Sequence, residues 1–130
     1  MPGHNSDSIS LLPARTFLGF FSPQGHRGRL SILIFHRVPP QADPLFPESG
    51  DAESFDQQMG LLGDCFNVIP LADAVRGLRS GSLPARAACV TFDDGYADNA
   101  EVALPILQKY GIPATFFVSS GVLDGGRMWN

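Results

Sequence analysis

From residue 30 onward, short apolar runs alternate with polar segments whose apolar positions recur at helical spacing. Leu30-Ser31-Ile32-Leu33-Ile34-Phe35 is branched and apolar, which predicts a strand buried on both faces. After His36-Arg37-Val38, Pro39 and Pro40 forbid further sheet pairing, and Gln41 to Gly50 reads as a loop. A helix is predicted to begin at Asp51 or Ser54, either of which suits the N-cap, and to run through Met59, Leu61 and Leu62. Phe66 to Pro70 predicts a short strand. Leu71 to Arg79 predicts a helix with Ala74, Val75 and Leu78 on one face and Gly81 as its stop. Ala87 to Phe92 is the next buried strand. Ala100, Ala103, Leu104, Leu107 and Tyr110 then form a helical stripe ending at Gly111, where Pro105 predicts a kink or a fresh helix start. Ala114 to Val118 reads as a further buried strand, with Phe116 and Phe117 in the core. Upstream, residues 1–28 form a lead-in with a short helix around Ala14 to Phe21, and residues 29–130 form the domain.

Strands alternating with helices at this spacing imply βαβ units and a parallel sheet, an α/β fold. Ligands in such folds bind at the carboxyl ends of the strands. The strand from Ala87 delivers Asp93 and Asp94 to that end, and the strand from Leu30 delivers His36 to it.

Composition narrows the chemistry. The 130 residues are 44% hydrophobic and 17% charged, which suits one globular domain. A formal net charge of −4 leaves no electrostatic footprint for nucleic acid. Arg15, His26, Arg27 and Arg29 read as a solvated surface. Cys65 and Cys89 lie outside any CxxC or Cys/His ligand spacing, so Cys89 reads as a buried inert thiol. No run approaches the ~20 apolar residues of a membrane span, and no signal-peptide pattern opens the chain. The default expectation is cytoplasmic, with an envelope or extracellular substrate left open. Oligomeric state is not readable.

The pair Asp93-Asp94, followed by Gly95 and Tyr96, is the candidate chemistry. Two adjacent carboxylates repel, and a bound divalent cation reverses that penalty by keeping a ligand Asp ionised. Neighbouring residues of a strand point to opposite faces, but a turn at its end can aim both at one cavity. Gly95 lets the backbone turn sharply or approach a ligand. An Asp-Asp-Gly turn that merely caps the next helix, with Asp98 as an alternative cap, fits the same residues.

Thr91-Phe92-Asp93-Asp94-Gly95-Tyr96 resembles the first motif of the polysaccharide deacetylase family, also called the NodB-homology or carbohydrate esterase 4 family. Ile34-Phe35-His36-Arg37-Val38 is similar to that family's opening strand. Leu104-Pro105-Ile106-Leu107 and Tyr110 to Val118 are similar to its next helix and strand, so the resemblance runs from Leu30 to Asn130. It implies the N-terminal portion of a distorted (β/α) barrel with parallel strands. It implies a metal-dependent hydrolase that removes N-acetyl groups from a polysaccharide or oligosaccharide. By the motif match Asp93 takes the place of the catalytic base and Asp94 that of a ligand to a divalent metal, zinc above all. The cation would polarise the N-acetyl carbonyl and activate water while Asp93 takes the water's proton.

The family's later motifs, His-Ser/Thr-x-x-His foremost, are missing, and the histidines are His4, His26 and His36 alone. A catalytic zinc takes about three protein ligands. The chain is therefore expected to be an incomplete domain that binds metal poorly and is inactive alone, with exposed strand edges that favour aggregation. His36 reads as a strand-end hydrogen-bonding or cleft-lining residue, and Tyr96 as a cleft-lining residue or a packing residue at the helix start. Trp129 is a candidate for stacking on a sugar ring. A non-catalytic carbohydrate-binding or assembly protein is the alternative function. A phosphatase is disfavoured, because the aspartyl-phosphate type uses D-x-D spacing.

Overall fold

The computed structural model describes residues 11–45 and 50–122, which leaves Trp129 outside the described residues. Helix α1 spans Leu12–Phe21 and begins with a proline in its first turn, where a missing N–H costs nothing. Strand β1 is Leu30–Phe35, helix α2 Ala52–Cys65, strand β2 Asn67–Val68, helix α3 Leu71–Ser80 and strand β3 Ala87–Phe92. A wide π-type turn at Asn99–Ala103 leads into helix α4, Leu104–Tyr110, and strand β4 is Ala114–Phe116. The alternation is α/β, as the periodicity predicts. Among the described residues no helix is long and apolar enough to cross a membrane.

Every strand pair is parallel, and β3 lies at the centre. On one side β1 pairs with its whole length, Leu30 opposite Ala87 through Phe35 opposite Phe92. The other side is shared, with β2 beside Ala87 and Ala88, and β4 beside Val90 to Phe92. All six β3 residues are buried, in keeping with their unbroken apolar run.

Period-two alternation splits β3 between two cores. Ala88, Val90 and Phe92 pack with Phe55, Met59 and Leu62 of α2 and with Ala103 and Leu107. Ala87 and Cys89 pack with Ala74 of α3 and with Leu83. Phe92 is the centre of an aromatic stack, its ring 5.4 Å from Phe35 and 4.9 Å from Phe116. Cys65 and Cys89 are free and buried, and burial pushes the Cys89 thiol above its ordinary pKa, which keeps it inert.

Helix ends follow local chemistry. Asp51 is the N-cap of α2, accepting from the Ser54 N–H while the Ser54 hydroxyl accepts from the Asp51 N–H, so the two candidates form one capping box. Gly81 and Gly111 end α3 and α4 in the left-handed conformation expected of stop glycines. Pro105 produces the fresh start: the π-type turn ends before it, and it occupies the first turn of α4.

Three expectations need correction. Strand β1 is not buried on both faces, since Leu33 and Phe35 pack while Ile32 is exposed and Ile34 is 60% exposed. Among the described residues no layer covers that upper part of the sheet. Phe116 and Phe117 are not core: β4 ends at Phe116, and Phe117 is 50% exposed. Helix α3 buries Ala74 as expected, but with Gly77 beside it, while Val75 and Leu78 of the expected stripe are exposed. Leu83 packs against this face, and a Cβ on Gly77 would meet its Cδ2 at 3.1 Å, tighter than ordinary van der Waals contact.

Helices α2 and α4 are joined by Asp56, whose carboxylate accepts from Lys109 Nζ at 2.7 and 2.9 Å and from the Tyr110 hydroxyl at 3.0 Å. The Lys109 bond holds the Asp56 carboxyl below its ordinary pKa; desolvation opposes the shift and Tyr110 adds to it. A lowered carboxyl contributes stability at neutral pH that is lost as pH falls through its folded value. Asp56→Asn should therefore flatten the acid limb of the stability curve, read as urea midpoints at pH 7 and at pH 3. An equal acid loss in both proteins would rule the linkage out. Phe92→Ala should cost about 3–5 kcal/mol in the same assay, and a cost under about 1 kcal/mol would place that ring outside the core.

Candidate active site

The register that sets Phe35 opposite Phe92 also brings the next residues level at the carboxyl end of the sheet. By alternation His36 and Asp93 continue the face that carries Ile34 and Thr91. His36 Nε2 lies 4.0 Å from Asp93 Oδ2, with the side chains 60% and 38% exposed. The Asp93 N–H donates to the Phe35 carbonyl at 2.9 Å, extending the β1–β3 ladder by one rung.

Asp94 leaves the strand geometry. Its φ is +74°, and Gly95 follows at +76°, so the chain passes through two successive left-handed residues. This turn replaces strand alternation immediately after Asp93. Aspartate tolerates that region better than most residues, although at a cost. The segment after β4 closes over the turn: Phe117 N–H donates to Phe92 O at 2.8 Å, and Ser119 N–H approaches Asp94 O at 3.4 Å. A Cβ on Gly95 would lie 2.8 Å from Val118 Cγ1, so both φ and space demand glycine.

The next residues carry a polar cluster that the sequence did not disclose. Asp98 stands where a helix cap belongs, yet its side chain makes no capping bond. That corrects its reading as a cap. It is buried and accepts from Arg37 Nε at 3.0 Å. The same guanidinium lies 4.9 Å from the centre of the Tyr96 ring. Asn99 is buried, and with its amide oriented to satisfy both neighbours its nitrogen donates to the His36 carbonyl at 3.0 Å and to Asp98 Oδ1 at 3.2 Å. The structure thus brings Asp93, Asp94, His36 and Tyr96 to one end of the sheet. It adds Arg37, Asp98 and Asn99 to their surroundings.

A complete metal centre does not fit the described residues by themselves. Among them no three His, Cys, Asp or Glu side chains stand close enough together to hold an ion, whereas a catalytic zinc takes about three protein ligands. Asp94 suits one ligand position, being a half-buried carboxylate at the carboxyl end of the sheet.

The turn's conformation sets its own test. Gly95→Ala should lower the unfolding midpoint by the equivalent of about 1–3 kcal/mol. Asp94→Gly, which relieves the left-handed strain, should leave it unchanged or raise it by up to about 1 kcal/mol. Urea titration of both variants checks this, and a neutral Gly95→Ala would mean that the turn is not held against Val118.

Residues 80–126 match the family model described as Polysaccharide deacetylase. YxkH of Bacillus subtilis (strain 168), named for the polysaccharide deacetylases, is 32% identical over 92 residues, covering 69% of this chain and 32% of that protein. Among solved structures, a de-N-acetylase from Aggregatibacter actinomycetemcomitans is 30% identical with a TM-score of 0.64, over 75% of this chain and 40% of that one. The Streptococcus pyogenes deacetylase PplD, in complex with acetate, is 29% identical with a TM-score of 0.65, over 78% and 47%. IcaB from Ammonifex degensii is 31% identical with a TM-score of 0.63, over 84% and 43%. The chain spans about a third of the curated relative's length and less than half of each of these structures. The solved neighbours are (β/α)-barrel deacetylases, and the parallel sheet described above corresponds to part of such a barrel.

Proposed function

We propose, on the footing that residues 80–126 belong to the polysaccharide deacetylase family, that this segment carries the base of an N-deacetylase acting on an N-acetylated polysaccharide or oligosaccharide. One observation carries the reading. The matched segment delivers two adjacent carboxylates to the carboxyl end of the central strand, in a turn whose left-handed backbone is braced from both sides. A simple capping turn needs no such bracing.

Asp93 takes a proton from a water that attacks the N-acetyl carbonyl carbon. The tetrahedral adduct then breaks its C–N bond, the sugar nitrogen takes up a proton, and acetate leaves. His36, 4.0 Å from Asp93, supports the charge of that carboxylate or lines the cleft beside it. Tyr96, beneath Arg37, forms the wall at the helix start. Asp94 is the residue that would offer one ligand to a divalent cation, zinc by the family's chemistry. A cation held there would lower the pKa of bound water and polarise a carbonyl. The acetate in the PplD structure is the product that this chemistry would release.

Acetate release from N-acetylglucosamine oligomers by the full-length protein, with and without Asp93→Asn, tests the proposal. The variant should lose about 10²–10⁴-fold in kcat and keep its melting temperature. Full activity in the variant would remove Asp93 from the role of base. Oligosaccharide binding with no acetate release from the unmutated protein would favour the carbohydrate-binding alternative.

A further inference from the structure

We infer that Arg37, Asp98 and Asn99 are positioning residues that hold the Asp93–Asp94 turn against the end of β1, an assignment that rests on the deacetylase reading only for its kinetic consequence. Three ties run between residues 36–37 and 96–99, and they straddle the turn. Arg37 Nε donates to Asp98 Oδ2 at 3.0 Å, the guanidinium stacks 4.9 Å over Tyr96, and the Asn99 amide donates to the His36 carbonyl at 3.0 Å. On the near side, Asp93 N–H is bonded to Phe35 O.

Burial distinguishes this cluster from an ordinary surface ion pair. The Asp98 side chain is 9% exposed while that of Arg37 is 61% exposed. Exposed pairs contribute little, but a buried carboxylate needs its cation, so Asp98 commits Arg37 to one place. Asn99 is likewise buried, and its one amide nitrogen joins Asp98 to the β1 backbone. A carboxylate at that position would be solvated if its role were to cap a helix, and Asp98 caps nothing.

The turn needs such a support. Two consecutive left-handed residues, one of them non-glycine, persist only where the surroundings over-determine them. Val118 and Ser119 hold one side. The Arg37–Asp98–Asn99 cluster holds the other, by fixing the helix start that follows Tyr96. Without it the segment 96–99 is free to draw away from β1, and the left-handed turn that places Asp94 beside Asp93 is held from one side only. Lysine does not replace Arg37, because a single ammonium cannot present both a planar face to Tyr96 and a fixed donor to Asp98.

The experiment uses the full-length protein with Asp98→Asn, Arg37→Met and the double variant. Amide hydrogen exchange is followed at Asp93 to Tyr96 and, as a reference, at Ala88 and Val90. Kinetics of acetate release from N-acetylglucosamine oligomers are measured beside it. Each single variant should speed exchange at the turn by about tenfold or more relative to the strand. Each should lower kcat about 10–100-fold while KM stays within about threefold, because misplaced catalytic groups lose rate rather than affinity. The double variant should be no worse than the weaker single one, as expected for one unit. Faster exchange in strand and turn alike, with kcat unchanged, would overturn the assignment as ordinary structural support. If the unmutated protein releases no acetate, the deacetylase reading fails. Exchange alone then decides this inference: local acceleration at the turn upholds it, and unchanged turn exchange overturns it. Should Asp98→Asn fail to fold, Arg37→Lys carries the same expectations.

Discussion

Pairing around β3 is the constraint from which the rest of the structure follows. One strand serves β1 along its full length on one edge and divides its other edge between β2 and β4. It must therefore be apolar on both faces, and it is buried throughout. Because parallel register admits no slippage without turning every side chain to the wrong face, the same pairing fixes where each strand ends. His36 and Asp93 meet because Phe35 and Phe92 are register partners. The Phe35–Phe92–Phe116 stack then locks three strands at the level where chemistry begins.

Two adjacent carboxylates at that level would be unfavourable on a regular strand, where each occupies a different face and at least one meets apolar neighbours. The left-handed Asp94 changes the geometry at a local conformational cost. The cost is offset by contacts from distant parts of the chain: the Phe117–Ser119 segment from beyond β4, and Arg37 from beyond β1. Strain at a candidate site, held in place by tertiary structure, is a familiar arrangement where a reacting group must be presented rather than buried.

Much of the fold was legible because it depends on local rules. Apolar runs gave the strands, Gly81 and Gly111 the helix ends, Asp51 and Ser54 the capping box, and Pro105 the restart of α4. Each of these follows from backbone chemistry within a few residues. The missed features all depend on partners far away in sequence. Asp98 looked like a cap because a cap is a local reading, whereas its cation lies 61 residues upstream. Val75 and Leu78 looked like core because helical spacing ignores Leu83, whose side chain packs against the helix face at Gly77. At the candidate site, the Asp pair and His36 could be placed at a strand end from the sequence, while the unit that braces them could not.

The exposure of Ile32 and Ile34 follows from the same logic. An unbroken apolar strand signals two faces that need cover; the described residues cover one with α2 and α4, and the lower part of the other with α3 and Leu83. The part left open is on β1, at Ile32 and Ile34, whose face continues through His36 to the candidate site. By alternation the exposed isoleucines and the half-exposed Asp93 lie on the same face of the sheet. Apolar residues and a carboxylate thus share one open surface. That face is apolar along β1 and becomes polar at its upper end, where His36 and Asp93 stand. The Arg37–Asp98–Asn99 cluster lies at the boundary between these two regions, where a strand's regular geometry stops and a shaped turn has to be maintained by other means.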